Sequence, residues 1–151
     1  MLNTIGYEGA DLADFLTTLN MAKVDILIDV RDRAQSRKRG FSKTALSEAL
    51  LENGIEYLHL KELGDPKEGR EAARSGNFMK FEKIYLGVLK SEVAQAAIDV
   101  IEKIVESKNA CLLCYERDHR TCHRKYISDD IDARRKLKTR HLGVRKYEKV
   151  A

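Results

Sequence analysis

The chain has 151 residues, 43% hydrophobic and 34% charged, the size and balance of a globular chain with one sizeable core and not of a disordered one. No apolar run approaches the ~20 residues needed to span a bilayer, and Met1–Gly6 has no basic stretch ahead of an apolar one, so membrane insertion and secretion are not expected. Only three cysteines occur, all between positions 111 and 122; an odd, clustered set argues against a disulfide framework and for a reducing cytoplasm.

Leu2 to Ile5 reads as a short strand ending at Gly6. Tyr7-Glu-Gly9 is a turn, and Asp11 caps a helix with Leu12, Phe15, Leu16 and Leu19 on one face. Val24 to Ile28 is a near-continuous apolar run, the pattern of a strand covered on both sides in a parallel sheet. It stops at Asp29-Val-Arg31, and a basic loop follows to Ser42, the N-cap of a helix carrying Ala45, Leu46, Ala49 and Leu50. Asn53-Gly54 closes that helix. Ile55 to Leu60 is the third strand.

The segment Asp65 to Gly76 holds the only proline, with charges and glycines, and reads as an excursion or lid. Asn77 starts a helix with Phe78, Phe81, Ile84, Tyr85, Val88 and Leu89, and Ser91 caps another with Val93, Ala97, Ile98, Ile101 and Ile104 inward. Asn109 to Tyr115 is the fourth strand. A polar loop and a helix to about Arg135 come next, Leu137 to Val144 suggests a fifth strand, and the tail from about 145 is basic and frayed. Strands alternating with helices predict a single α/β domain over 1–151: three layers around a mainly parallel, doubly wound, Rossmann-like sheet of about five strands.

Parallel connections place every strand's carboxyl end on one edge. Gly6, Tyr7, Glu8, Asp29, Arg31, His59, Glu62, Glu116 and the Cys122-His123-Arg124 turn should therefore gather there, where open α/β sheets bind ligands. Net charge is +4, unevenly spread: residues 120–151 hold eleven Lys/Arg against four Asp/Glu. A second basic cluster comprises Arg31, Arg33, Arg37, Lys38, Arg39 and Lys43. Two such patches suit an acidic partner, nucleic acid or a phosphorylated ligand, or form a solvated surface.

The stretch Cys111 to Arg124 concentrates the chemistry. A zinc site from Cys111, Cys114, Cys122 and His123 is one reading. Alternation along a strand turns Cys111 and Cys114 to opposite faces, however, so no metal is assigned. A second reading has Thr121 as N-cap, with Cys122 in the first helical turn as a thiolate favoured by the helix terminus, Arg120 and Arg124. Glu116 would be its acid/base or the orienter of His123; the alternative is that Cys122 only packs while Arg124 positions an anion. A third reading is Cys114-x5-Arg120, the arrangement of tyrosine-phosphatase-like and rhodanese-like enzymes. The Tyr115–His119 loop lacks glycine and carries Glu116 and Asp118, which would repel phosphate. Asp29 is a candidate base and Arg31 a phosphate clamp, unless the two pair with each other. The aromatic stripe Phe78, Phe81, Tyr85 has core spacing.

Several segments occur together in order: Ile5-Gly-Tyr7 with Phe15, Ile28-Asp-Val-Arg31 with Ser36-Arg37, Phe41-Ser42, Tyr57-Leu-His-Leu60 with Glu62-Leu-Gly64, and Cys111-Leu-Leu-Cys-Tyr-Glu116 with Cys122-His-Arg124. Together they resemble the uncharacterised proteins grouped as domain of unknown function 488, over nearly the whole chain to about Val144. The resemblance implies a compact α/β domain and brings no reaction, substrate or cofactor. The family pattern matches Asp29, Arg31, Ser36, Arg37, Glu62, Gly64, Cys114, Glu116, Cys122, His123 and Arg124. It usually lacks a basic residue matching Arg120, and Tyr7 stands where many relatives have His.

The expectation is an enzyme-like pocket at the carboxyl edge of the sheet. It would bind a nucleotide, nucleic acid or other phosphorylated ligand through Arg31, Arg37, Arg124 and His123. Cys122, Glu116 and Asp29 are its candidate catalytic residues, with no cofactor. The rivals are a non-catalytic nucleic-acid binding module and a structural zinc protein.

Overall fold

The computed structural model describes residues 1–147. Five strands, β1 (Leu2–Gly6), β2 (Ile26–Asp29), β3 (Glu56–His59), β4 (Ala110–Cys114) and β5 (Arg140–Leu142), form one sheet in the order β3-β2-β4-β1-β5. Every pairing is parallel, with Gly6 opposite Cys114 and Asp29 opposite both His59 and Leu113. Six α-helices connect them: α1 (Leu12–Met21), α2 (Lys43–Glu52), α3 (Lys67–Arg74), α4 (Phe78–Leu89), α5 (Glu92–Val105) and α6 (Arg124–Arg135). The expected strands and helices are all present, with ends within a few residues of those anticipated. Among the described residues, no helix is long and apolar enough to cross a membrane.

Alternation on the central strands builds two cores. Ile26, Ile28, Ala110, Leu112 and Cys114 pack with Ala72, Phe81, Tyr85, Ile98, Ile101, Ile127 and Ile131, which come from α3 to α6. Leu27, Cys111, Leu113 and Ile5 face the other way, onto Phe15, Leu19, Leu46 and Leu50 of α1 and α2. Burial on both faces explains why β2 and β4 lack the polar alternation of a half-exposed strand. Cys111 and Cys114 thus belong to opposite cores, as alternation requires.

Caps set several helix starts. Asp11 accepts from the Asp14 amide at 2.8 Å, Asn77 from Lys80 and Ser91 from Ala94, each satisfying an otherwise orphaned N–H. Ser42 precedes α2 without capping it; its hydroxyl instead accepts from Ser36 N and donates to Ser36 O, closing the basic loop. The Asp65–Gly76 excursion holds a helix of its own, α3, which packs against α4. Residues 145–147 of the basic tail are described: the Tyr147 amide donates to Asp14, and its hydroxyl meets Thr18. The rest of the frayed-tail expectation lies outside the described residues.

One glycine is forced by approach distance. A Cβ built on Gly6 would lie 1.7 Å from the carbonyl oxygen of Glu116, so β1 can end beside the loop after β4 only without a side chain. Gly87, inside α4, has nothing within 4 Å of such a Cβ. Gly6→Ala should lower stability by roughly 1–3 kcal/mol through overpacking against backbone, whereas Gly87→Ala should raise it by about 0.5–1 kcal/mol through helix propensity. Urea midpoints of the two variants moving in the same direction would contradict the packing described here.

Candidate functional site

Loops after β1, β2 and β4, together with α3, enclose a cleft of about 780 Å³ above the carboxyl ends of the strands. Its walls include Tyr7, Glu8, Arg31, Arg33, Arg37, Lys38, Asp65, Arg70, Arg74, Phe78, Cys114, Tyr115, Glu116 and His123. The position is the one where crossovers diverge in an open parallel sheet.

Asp29 and Arg31 are held by each other. The fully buried Asp29 carboxylate accepts from Arg31 N (3.1 Å), Nε (2.9 Å) and Nη2 (2.7 Å), and from the Tyr57 hydroxyl at 2.5 Å. Arg31 Nη1 donates to the Tyr7 hydroxyl (3.2 Å) and to Phe41 O (2.7 Å). Four of the five guanidinium N–H groups are thereby engaged, and Asp29 has no oxygen free to take a proton from a ligand. Of the two sequence readings, the pairing applies. The pair ties the loop after β2 to the ends of β1 and β3. Arg37, by contrast, is exposed on the cleft wall.

The Cys122-His123-Arg124 turn differs from its expected geometry. Thr121 is not an N-cap; its hydroxyl donates to Asp118 O, and the N-cap position of α6 falls on His123. Cys122 therefore lies before the helix, in extended backbone, outside the first turn where the helix terminus would favour a thiolate. Its sulfur is bonded to that of Cys114, against the expectation of no disulfide. Alternation and the β4–loop–α6 geometry bring these two sulfurs together, and sequence spacing alone could not show that.

Arg124 is fully buried. It donates to Cys114 Sγ at 3.0 Å, to Glu116 O, and to Arg117 O at 3.1 Å, while its Nε has no partner. It is therefore turned away from a ligand in the cleft. Burial lowers its pKa to about 10. His123 Nε2 lies 2.7 Å from Val30 O, an acceptor only, so Nε2 carries the proton and Nδ1 is bare in the neutral ring. Burial holds the His123 pKa down to about 4, and the neutral ring brings no positive charge to an anion. Arg120 pairs with Asp118 in solvent, so the Cys114-x5-Arg120 cradle does not form. Two of the loop amides are also engaged: Arg117 N donates to Glu8 and Arg120 N to Asp118.

Cys114, Cys122 and His123 place ligand atoms within 4.8 Å of one another. With the sulfurs bonded to each other, only His123 remains a strong donor, and Cys111 lies in the other core. Two carboxyl groups complete the cleft. Burial raises the pKa of Glu116. Asp65, which the sequence hid within the lid-like segment, is 6% exposed and has an unpartnered buried Oδ1. Burial first, then repulsion from Glu116, pushes its pKa up to about 7. A Cβ at Gly69 would stand 1.9 Å from that oxygen, so the glycine in α3 makes room for the carboxyl.

Comparison with protein families finds one, described as domain of unknown function DUF488, matching residues 11–131. Tyr7 and β5 fall outside the matched span. Comparison with curated proteins and with solved structures gives no match.

Removing half of a buried ion pair strands the other charge. Asp29→Asn should cost about 3–5 kcal/mol in urea unfolding, and a loss below 1 kcal/mol would deny the pair its anchoring role. Asp65 acts in the opposite sense. Its pKa is higher in the folded chain than in the unfolded one, so its contribution to stability declines as pH rises from about 4 through 7. Asp65→Asn should therefore gain in melting temperature over the parent as pH goes from 5 to 8. A pH-independent difference would argue against a buried carboxyl.

Proposed function

The chain belongs to the DUF488 family, whose description assigns no activity, and from the cleft we propose that it binds a phosphorylated ligand of the nucleotide class, free or as a nucleic-acid strand. One observation carries the reading. Arg33, Arg37 and Lys38 from the loop after β2, and Arg74 from α3, line one cleft and make no salt bridge among the described residues. Cations from two segments that converge without carboxylate partners favour a multiply charged anion. The exposed Phe78 and Tyr115 rings on the same walls offer faces on which a base can stack.

Carboxyls at the base of the cleft support an enzyme-like pocket. Asp65, with a pKa near neutrality, is placed to hand over or accept a proton. The rival, a non-catalytic nucleic-acid surface built from two basic patches, is weakened by the ion pairs of α6. Arg134 and Arg135 reach Asp99 and Glu102 of α5 and Glu106 just beyond it, Lys125 reaches Asp129, and in the loop before α6 Arg120 reaches Asp118. A structural zinc is disfavoured by the bonded sulfurs.

Fluorescence anisotropy with a 5′-phosphorylated oligonucleotide and with a labelled mononucleotide tests the proposal. Binding should weaken steeply with salt, and Arg37→Ala should flatten the plot of log K against log salt by about 0.7–0.9. Arg120→Ala, outside the cleft, should change nothing. Salt-insensitive binding, or equal losses in both variants, would sink the assignment.

A further inference from the structure

We infer that Cys114 and Cys122 form a reversible dithiol–disulfide couple in which Cys114 is the attacking, cleft-facing sulfur, held as a thiolate by Arg124, and Cys122 is the resolving sulfur. The inference is independent of the phosphate reading, since it rests on the buried floor of the cleft and not on the cations at its rim.

A guanidinium with no exposed surface is expensive to bury unless an anion or a full set of acceptors meets it. Among the described residues Arg124 has no carboxylate in salt-bridge range, and Nε has no partner. Two carbonyls and the Cys114 sulfur are all it finds. In the reduced chain a thiolate at Cys114 supplies the missing negative charge 3.0 Å from Nη1. Proximity to a fixed cation is what lowers a thiol's pKa and makes it reactive.

The other charged and titratable groups around Cys114 are few. Glu116 Oε2 lies 3.6 Å from its sulfur; burial raises the pKa of that carboxyl and the Arg124 charge lowers it. His123 is neutral. Asp65 lines the same cleft and is half protonated near neutrality.

Access separates the two sulfurs. Both cysteines are buried, each 1% exposed, but Cys114 lines the cleft and Cys122 does not. The bare His123 Nδ1 lies 3.7 Å from Cys122 Sγ. The cycle closes with a disulfide as oxidant. Cys114 thiolate attacks one sulfur of R–S–S–R, an S–S bond forms to Cys114, and one RS⁻ leaves. Cys122 gives its proton to the RS⁻ released in the first step and attacks Cys114 Sγ, forming the bridge seen here and releasing the second RS⁻. A small dithiol reverses the process by the same exchange, becoming a disulfide itself.

The test uses the full chain, fully reduced, with glutathione disulfide as probe and intact-mass spectrometry as readout. The parent should lose two hydrogens and keep no glutathione. Cys122→Ser should retain one glutathione, mapped to Cys114, and Cys114→Ser should retain none. In the Cys122→Ser background, Arg124→Met should slow alkylation of Cys114 at pH 6 by at least about tenfold, with Arg124→Lys, which keeps the charge if the methionine variant does not fold, falling less. Equal adducts in the two cysteine variants would overturn the assignment of roles. So would an alkylation rate indifferent to Arg124, or a reduced parent that carries stoichiometric zinc and resists oxidation.

Discussion

The buried Asp29–Arg31 pair is the constraint on which the cleft depends. An arginine 6% exposed and a carboxylate with no exposed surface would be costly apart, and together they are tolerated because nearly all their remaining hydrogen-bonding sites are also matched. Tyr57 from β3, Tyr7 from the loop after β1 and the Phe41 carbonyl at the end of the basic loop supply those matches. The geometry of this one pair therefore fixes the ends of three strands. The stacking of Tyr7 on Phe41, with ring centroids 4.6 Å apart, adds an apolar clamp to the polar one. The basic loop is anchored at both ends, and Arg33, Arg37 and Lys38 are carried between the anchors.

Arg124 faces the same physical problem and meets it differently. Its acceptors are carbonyls of the loop after β4 and a sulfur, so it shapes that loop as Arg31 shapes the one after β2. Gly6 makes the arrangement possible, because the Glu116 carbonyl that Arg124 grips sits where a β1 side chain would be. The two arginines differ in what they leave over. Arg31 is paired with a carboxylate in salt-bridge contact; Arg124 is not, and one of its donors meets the Cys114 sulfur at 3.0 Å.

Much of the architecture could be read from residue patterns, because burial on both faces of β2 and β4 imposes continuous apolar runs and the crossovers impose amphipathic helices. Asp11, Asn77 and Ser91 announced their helices through side-chain chemistry that acts within four residues. The site was harder, since its contacts are long-range. Asp29 and Arg31 offered two equally reasonable fates, and what decided between them was Tyr57, 28 residues away. Cys122 looked like a first-turn residue because Thr121 is a good cap, yet Asp118 captures the Thr121 hydroxyl and the helix begins later. Asp65 gave no local signal at all: its meaning comes from the space left by Gly69 and from Glu116 across the cleft.

Charge counting along the chain pointed to two basic patches, and three-dimensional pairing separates them. On α6 the arginines face the acidic side of α5, so much of the C-terminal excess of positive charge is spent within the protein, at partly exposed pairs worth little to stability but effective in lowering the local field. The loop after β2 has no such acidic neighbour, apart from Asp29, which Arg31 consumes, and Asp32, which Arg70 engages at 3.1 Å. What remains positive is concentrated at the mouth of the cleft, while carboxyls of raised pKa sit at its base. On the proposed reading, a phosphate held at the rim would leave the rest of a ligand to extend inward, toward Asp65, Glu116 and Cys114. Keeping the cations at the rim apart from the carboxyls and the sulfur below lets one small cleft hold groups that would neutralise one another if they were in contact.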